Sequence, residues 1–238
     1  MKPSAALALV IITLALLQTP AAATDSIVVR RTTDFLLSGD GQSNQWGLTQ
    51  WQVLPQRRNT QYKKETKFKM LYSATGIYFL FSNEDEILTA TRQKDFDSLW
   101  VEDVNEVFLW PDTTETIYFE YEISPLNYEL PILVPNIRGN HLGWRPWIYE
   151  ENRKTRHATA VVGGKKKSGS KIREWLSEFF IPFELLAPLH NRVPQPGTIW
   201  KANLYRVDYD HKEPAVWAWQ PTEGSFHQFQ QFGKLVFE

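Results

Sequence analysis

From Thr66 onward, short apolar runs alternate with polar positions at period two and are separated by turn residues, while helical periodicity is nearly absent. The first pair is Thr66 to Tyr72 and Gly76 to Ser82, joined at Ser73-Ala74-Thr75-Gly76. The run Ile77-Tyr78-Phe79-Leu80-Phe81 is apolar on both faces, which predicts a central strand. A looser acidic segment, Asn83 to Asp103, leads into Val104 to Trp110. There the alternation places Val107 and Leu109 on one face and Val104, Glu106, Phe108 and Trp110 on the other. After the turn Pro111-Asp112-Thr113-Thr114 comes Thr116 to Ser124, with Ile117, Phe119, Tyr121 and Ile123 on one side and Tyr118, Glu120 and Glu122 opposite. That pattern predicts one face on the core and one polar, solvated face.

Prolines and glycines punctuate Pro125 to Arg156 around Trp144-Arg145-Pro146-Trp147, which predicts a long irregular loop of the kind that often carries a site. A hairpin follows, His157 to Val162 and Lys171 to Ile181, with Lys165, Lys166 and Lys167 at a solvated tip. Pro182 suits the first turn of a short helix at Phe183 to Ala187. The last strands are Ile199 to Tyr209, Val216 to Gln220 and Lys234 to Phe237. About ten strands and one short helix predict an all-β fold, a two-sheet antiparallel β-sandwich.

The N-terminus changes the picture of where the chain works. Lys2, the apolar stretch Ala5 to Leu17 and the small residues Ala21-Ala22-Ala23 predict a cleavable signal peptide over residues 1–23, leaving a single domain over 24–238 that is secreted or periplasmic. The stretch is shorter than the roughly 20 residues a spanning helix needs, so no membrane insertion is expected after cleavage. The chain has no cysteine, which excludes disulfides, thiolate metal sites and a cysteine nucleophile. With 26 basic against 27 acidic residues it lacks the single-signed field that draws proteins to nucleic acid, and a neutral partner fits better. Ten Trp, 9 Tyr and 14 Phe exceed what most cores of this size need; such faces fill β-sandwich cores or stack on the C–H faces of sugars.

Several enzyme templates are missing: no G-x-S-x-G elbow, no H-E-x-x-H pair and no phosphate-binding glycine loop. The five histidines, at 141, 157, 190, 211 and 227, are scattered and read as surface or structural residues. Carboxylates remain. Glu120 and Glu122 lie side by side on one strand, and Asp95, Asp97, Glu102 and Asp103 could gather oxygen ligands for calcium, although without EF-hand spacing.

The segment Asp97-Ser98-Leu99-Trp100-Val101-Glu102-Asp103-Val104-Asn105-Glu106-Val107 resembles the W-x-x-D-x-x-E strand entry of family 9 carbohydrate-binding modules and their DOMON-like, jelly-roll relatives. Gly76 to Phe81, Trp175 to Pro182, Trp200 to Arg206 and Gln231 to Leu235 continue the resemblance in the family's order. It implies a β-sandwich that holds sugars between two tryptophans. The first aligns with Trp100, a hydrogen-bonding glutamate aligns with Glu106, and the second tryptophan is replaced by Phe226. A family arginine falls near Glu120, an exchange of sign. Trp144 and Arg206 complete the candidate ligand-binding set. The family's association with calcium makes Asp97, Glu102 and Asp103 the candidate metal ligands; no other cofactor is expected.

The expected function is thus an exported, monomeric, non-catalytic protein that binds an oligo- or polysaccharide and supports its breakdown. The alternative is a glycoside hydrolase using Glu106 with Glu120 or Glu122. A third reading, haem binding, is known among DOMON relatives but needs axial Met or His, and Met70 is the only methionine after the signal segment.

Overall fold

The structure, a computed structural model, describes residues 24–138 and 140–238; the expected signal peptide over residues 1–23 lies outside the described residues. The strands are β1 (Ser26–Arg31), β2 (Gln52–Val53), β3 (Gln56–Arg58), β4 (Thr66–Tyr72), β5 (Gly76–Glu84), β6 (Val104–Trp110), β7 (Ile117–Ile123) and β8 (Glu129–Ile137). They continue with β9 (Asn140–His141), β10 (Arg145–Pro146), β11 (Arg156–Val162), β12 (Glu174–Pro182), β13 (Ile199–Asp208), β14 (Ala215–Ala218) and β15 (Gly233–Phe237). The order β10-β8-β7-β6-β13-β15-β1-β4-β5-β12-β11 folds into two facing sheets.

The expected all-antiparallel pairing holds except at β1, which pairs parallel with both sheets. Ser26 to Val29 run beside β15, and Arg30 and Arg31 beside β4. One strand thereby closes the seam, with Ile27 and Val29 turned into the core.

The core between the sheets follows from the period-two faces. Phe179 of β12 packs against Phe79 and Phe81 of β5 and against Tyr121 of β7, with ring centroids 4.7–6.1 Å apart. Burying each such ring contributes roughly 1.5–3 kcal/mol. The other face of β5 is buried as well, as its apolar run predicted. Tyr78 and Leu80 lie beneath Phe35 and Trp46 of the N-terminal segment, which is pinned by Glu178 through Ser38 N (2.9 Å), Gly39 N (2.6 Å) and Trp46 Nε1 (2.7 Å).

The region 125–156 is not one irregular loop: it contains β8, β9 and β10. Pro131 and Pro135 argued against a strand, yet both turn their carbonyls to the outer side of β8, where they accept Trp147 N (2.7 Å) and Leu142 N (3.0 Å). In an antiparallel ladder the N–H of the same residue would point the same way, so the missing donors fall on the lightly paired edge.

The segment Phe183–Ala187 is a run of i→i+3 turns rather than the expected helix, with Leu185 N bonded to Pro182 O and Leu186 N to Phe183 O. Phe183, Leu185, Leu186 and Leu189 are all buried, and so short a segment cannot repay helix nucleation.

Candidate functional site

The outer face of the sheet formed by β8, β7, β6 and β13 is not covered evenly. Leu99, Phe229 and Phe232 seal part of it, and beside them lies a cavity of about 500 Å³. Period-two geometry supplies its floor: Glu106 and Phe108 from β6, Glu120 and Glu122 from β7, Ile132 from β8 and Val207 from β13. The intervening residues Val107, Phe119 and Tyr121 point into the core between the sheets.

Loops build the walls. Trp100 comes from the 3₁₀ turn Leu99–Val101 and Trp144 from the segment before β10; their rings meet edge to face at 5.4 Å and 70°. Trp144 is 41% exposed and Trp100 half-buried, so neither indole is sealed in the core. On another wall, Phe226 stacks on Tyr205 at 4.1 Å and 7°, and the Tyr205 hydroxyl donates to the Phe226 carbonyl at 2.9 Å. One face of the Phe226 ring is therefore already occupied by protein.

The structure thus brings Trp100, Glu106, Glu120, Trp144 and Phe226 to one cavity. Arg206 is not there. On β13 it shares the parity of Ala202 and Leu204 and points between the sheets, fully buried. It pairs there with Asp208 (2.8 Å) and Asp85 (3.2 Å) and lies over the Trp217 ring. Its neighbours Tyr205 and Val207 face the cavity side instead.

Sequence reasoning missed the histidines. His141 and His227, far apart in the chain, stack at 4.2 Å and 2° on the cavity wall, and Tyr118 Oη lies 2.7 Å from His227 Nδ1. Desolvation, with His141 alongside, pushes His227 down to about 4, so it is neutral at physiological pH. No local spacing announces such a pair.

The face expected to be solvated is buried: Glu106 and Glu120 are 3% exposed and Glu122 1%. Walls added from distant loops cover it, which strand alternation cannot reveal. Glu106 lies opposite Glu122 across the β6–β7 ladder, and Phe108 opposite Glu120. Burial pushes Glu106 up to about 8, and burial with mutual repulsion holds Glu120 and Glu122 well above the usual carboxylate range. Buried Glu120 Oε2 and Glu122 Oε2 have no hydrogen-bond partner.

The expected calcium ligands do not converge. Asp97 pairs with Arg92, Glu102 accepts from Thr91 and Arg92, and both oxygens of Asp103 are taken by Thr89 N (2.6 Å) and Tyr209 N (2.9 Å). A different set does converge. One carboxylate oxygen each from Asp85, Asp208 and Asp210 lies within 4.8 Å of the others. Three hard oxygen donors beside the single guanidinium of Arg206 leave a buried excess of negative charge, a donor set that fits a divalent ion such as calcium. Asp85 follows β5, whereas Asp208 ends β13 and Asp210 follows it, so spacing gave no warning.

Comparison with known proteins agrees with this architecture. A chain from Bacteroides uniformis described as a candidate carbohydrate-binding protein superposes with a TM-score of 0.72 at 17% identity, over 90% of this chain and 99% of that one. A carbohydrate-binding module of family 9 from Caldicellulosiruptor kristjanssonii, in complex with cellotriose, gives 0.62 at 16% identity over 90% and 93%. The same organism's module in complex with glucose gives 0.62 at 16% over 90% and 95%. No curated protein matches the chain. The sequence profile described as carbohydrate-binding family 9 matches residues 44–237, and the chain belongs to that family.

Proposed function

We propose that this chain is a non-catalytic carbohydrate-binding protein that holds an oligo- or polysaccharide in the cavity between Trp100, Trp144 and Phe226, with Glu106 and its neighbours on the floor accepting hydroxyl hydrogens. The observation that carries this is the juxtaposition of half-open indoles with buried carboxylate acceptors in one cavity: apolar faces for C–H surfaces, oxygens for hydroxyls. The relatives solved with cellotriose and glucose support it.

A hydrolytic role is disfavoured by the same geometry. The three glutamates stand side by side on the floor, whereas a glycosidase places its two carboxyls on either side of the scissile bond. Met70, the residue a haem reading depended on, is buried in the core between the sheets.

Calcium, where present, would sit with Asp85, Asp208 and Asp210 and would supply charge neutralisation at the edge of the sandwich. Export through the N-terminal segment, a monomeric state and support of polysaccharide breakdown are part of the same proposal. Among the described residues no helix is long and apolar enough to cross a membrane.

The test is isothermal titration with soluble glucan, xylan and mannan fragments. Binding that falls by roughly 1–3 kcal/mol in Trp100→Ala, the range for burial of one large side chain, is the expected result. Absence of heat with every fragment would count against the reading, and loss of folding in the variant would make Trp100 a core residue instead.

A further inference from the structure

The molecule sets a hydrogen-bond donor or a basic side chain beside its other buried acids, including the two that keep an unpartnered oxygen: Glu129 Oε1 lies 3.4 Å from His157 Nε2 and Asp85 Oδ2 3.2 Å from Arg206. Glu178 receives two backbone amides and an indole N–H, Glu129 receives the hydroxyls of Tyr121 and Thr155, and Asp208 receives Arg206. The cavity floor breaks this pattern. Glu120 Oε2 and Glu122 Oε2 are unpartnered, and among the described residues no lysine or arginine lies within ion-pair distance of Glu106, Glu120 or Glu122. The nearest basic group is His227 Nδ1, 3.7 Å from Glu120, and that imidazole is neutral.

A metal ion does not answer this demand. Among the described residues the converging acidic set is Asp85, Asp208 and Asp210, and the floor glutamates do not gather tightly enough to form another. Spread-out acceptors under aromatic walls suit an organic cation better. An ammonium group donates three hydrogen bonds and is favoured near indole faces, here those of Trp100 and Trp144.

We propose that the cavity selects sugars carrying a free, protonated amino group, of the de-N-acetylated hexosamine class, over neutral sugars of the same size; this rests on the carbohydrate-binding reading of the same cavity. The other titratable or charged groups lining the cavity are Arg58, Glu213, Tyr209, His141 and His227, and Tyr118 lies close enough to Glu120 to feel its charge. None of them supplies a cation to the three carboxyls within ion-pair distance. Burial favours the protonated form of the floor carboxyls, pushing Glu106 up to about 8 and Glu120 and Glu122 well above the usual carboxylate range. When an ammonium binds, a carboxyl O–H bond breaks, its proton passes to the buffer, and the resulting carboxylate accepts an N–H from the ligand.

Titration calorimetry of the whole chain would use the glucosamine tetramer, its fully N-acetylated counterpart, cellotetraose and 1,5-diaminopentane, each in two buffers of different ionisation heat. The glucosamine tetramer is expected to bind about 10- to 100-fold more tightly than cellotetraose, as for one hydrogen bond between charged groups, with measurable proton release; N-acetylation removes the advantage. Glu120→Gln, checked for folding by its thermal melt, is expected to reduce that ratio, and Glu122→Gln takes its place if it does not fold. Equal or tighter binding of cellotetraose overturns the amine selectivity while leaving carbohydrate binding intact. Binding of the diamine as tight as that of the amino sugar also overturns it, making the site a general amine site. Absence of binding by every sugar removes both readings together.

Discussion

The Tyr209 hydroxyl donates a 2.7 Å hydrogen bond to the Trp100 carbonyl, which ties the chain that carries Asp208 and Asp210 to the turn that forms one cavity wall. Period-two geometry makes this link. Asp208 and Asp210 face the acidic cluster while Tyr209, between them, faces the cavity, and its amide is held in turn by Asp103 at 2.9 Å.

Removing that hydroxyl tests whether the wall is positioned from behind. Tyr209→Phe keeps the ring and loses one hydrogen bond worth ~0.5–1.5 kcal/mol. Sugar affinity measured by calorimetry is expected to fall a few-fold with little change in the melting temperature. Unchanged affinity would mean that the Leu99–Val101 turn fixes Trp100 unaided.

Arg206 belongs to the core in this structure, and its substitution separates that role from ligand contact. Arg206→Ala leaves Asp85 and Asp208 buried without a counter-charge, and breaking a buried pair in this way costs about 3–5 kcal/mol. Urea unfolding should show a loss of that order. A stable variant with weakened sugar binding would instead return Arg206 to the binding site.

Calcium bound by Asp85, Asp208 and Asp210 would stabilise the folded state by mass action, about 2.7 kcal/mol at a free concentration of 100 times Kd. Adding calcium to chelator-treated protein is expected to raise the melting temperature, and Asp210→Asn to abolish most of the rise. A melt indifferent to calcium in the parent protein would show that Arg206 alone neutralises this cluster.

The cavity floor gives stability a pH dependence of definite sign. Glu106 is raised from the ordinary 4.5 to about 8, so between these values the folded state holds a proton that the unfolded state has lost, and stability falls as pH rises through this window. His227 is lowered from 6.5 to about 4, so between these values the unfolded state holds the extra proton and stability rises with pH. The two oppose each other below pH 6.5; above it His227 no longer contributes, and Glu106 acts in the same direction as the other raised buried carboxyls, Glu120, Glu122 and Asp85. Between pH 6.5 and 8 the melting temperature should decline, and Glu106→Gln should flatten the decline. An identical slope in the variant would show that Glu106 is ionised in the folded protein across this range.

Much of this was written locally. The alternation in Val104 to Trp110 and Thr116 to Ser124 placed Glu106, Glu120 and Glu122 on common faces, and the doubly apolar run Ile77 to Phe81 identified a strand buried on both sides, because side chains of a strand must alternate whatever surrounds them. The tertiary structure decided what each face meets. Only packing of the Leu99–Val101 turn and the segments around Trp144 and Phe226 turned an apparently solvated strip into a buried acidic floor, and only the meeting of the ends of β5 and β13 joined Asp85 to Asp208 and Asp210. Burial and convergence depend on contacts between residues far apart in the chain, and a local period carries no information about them.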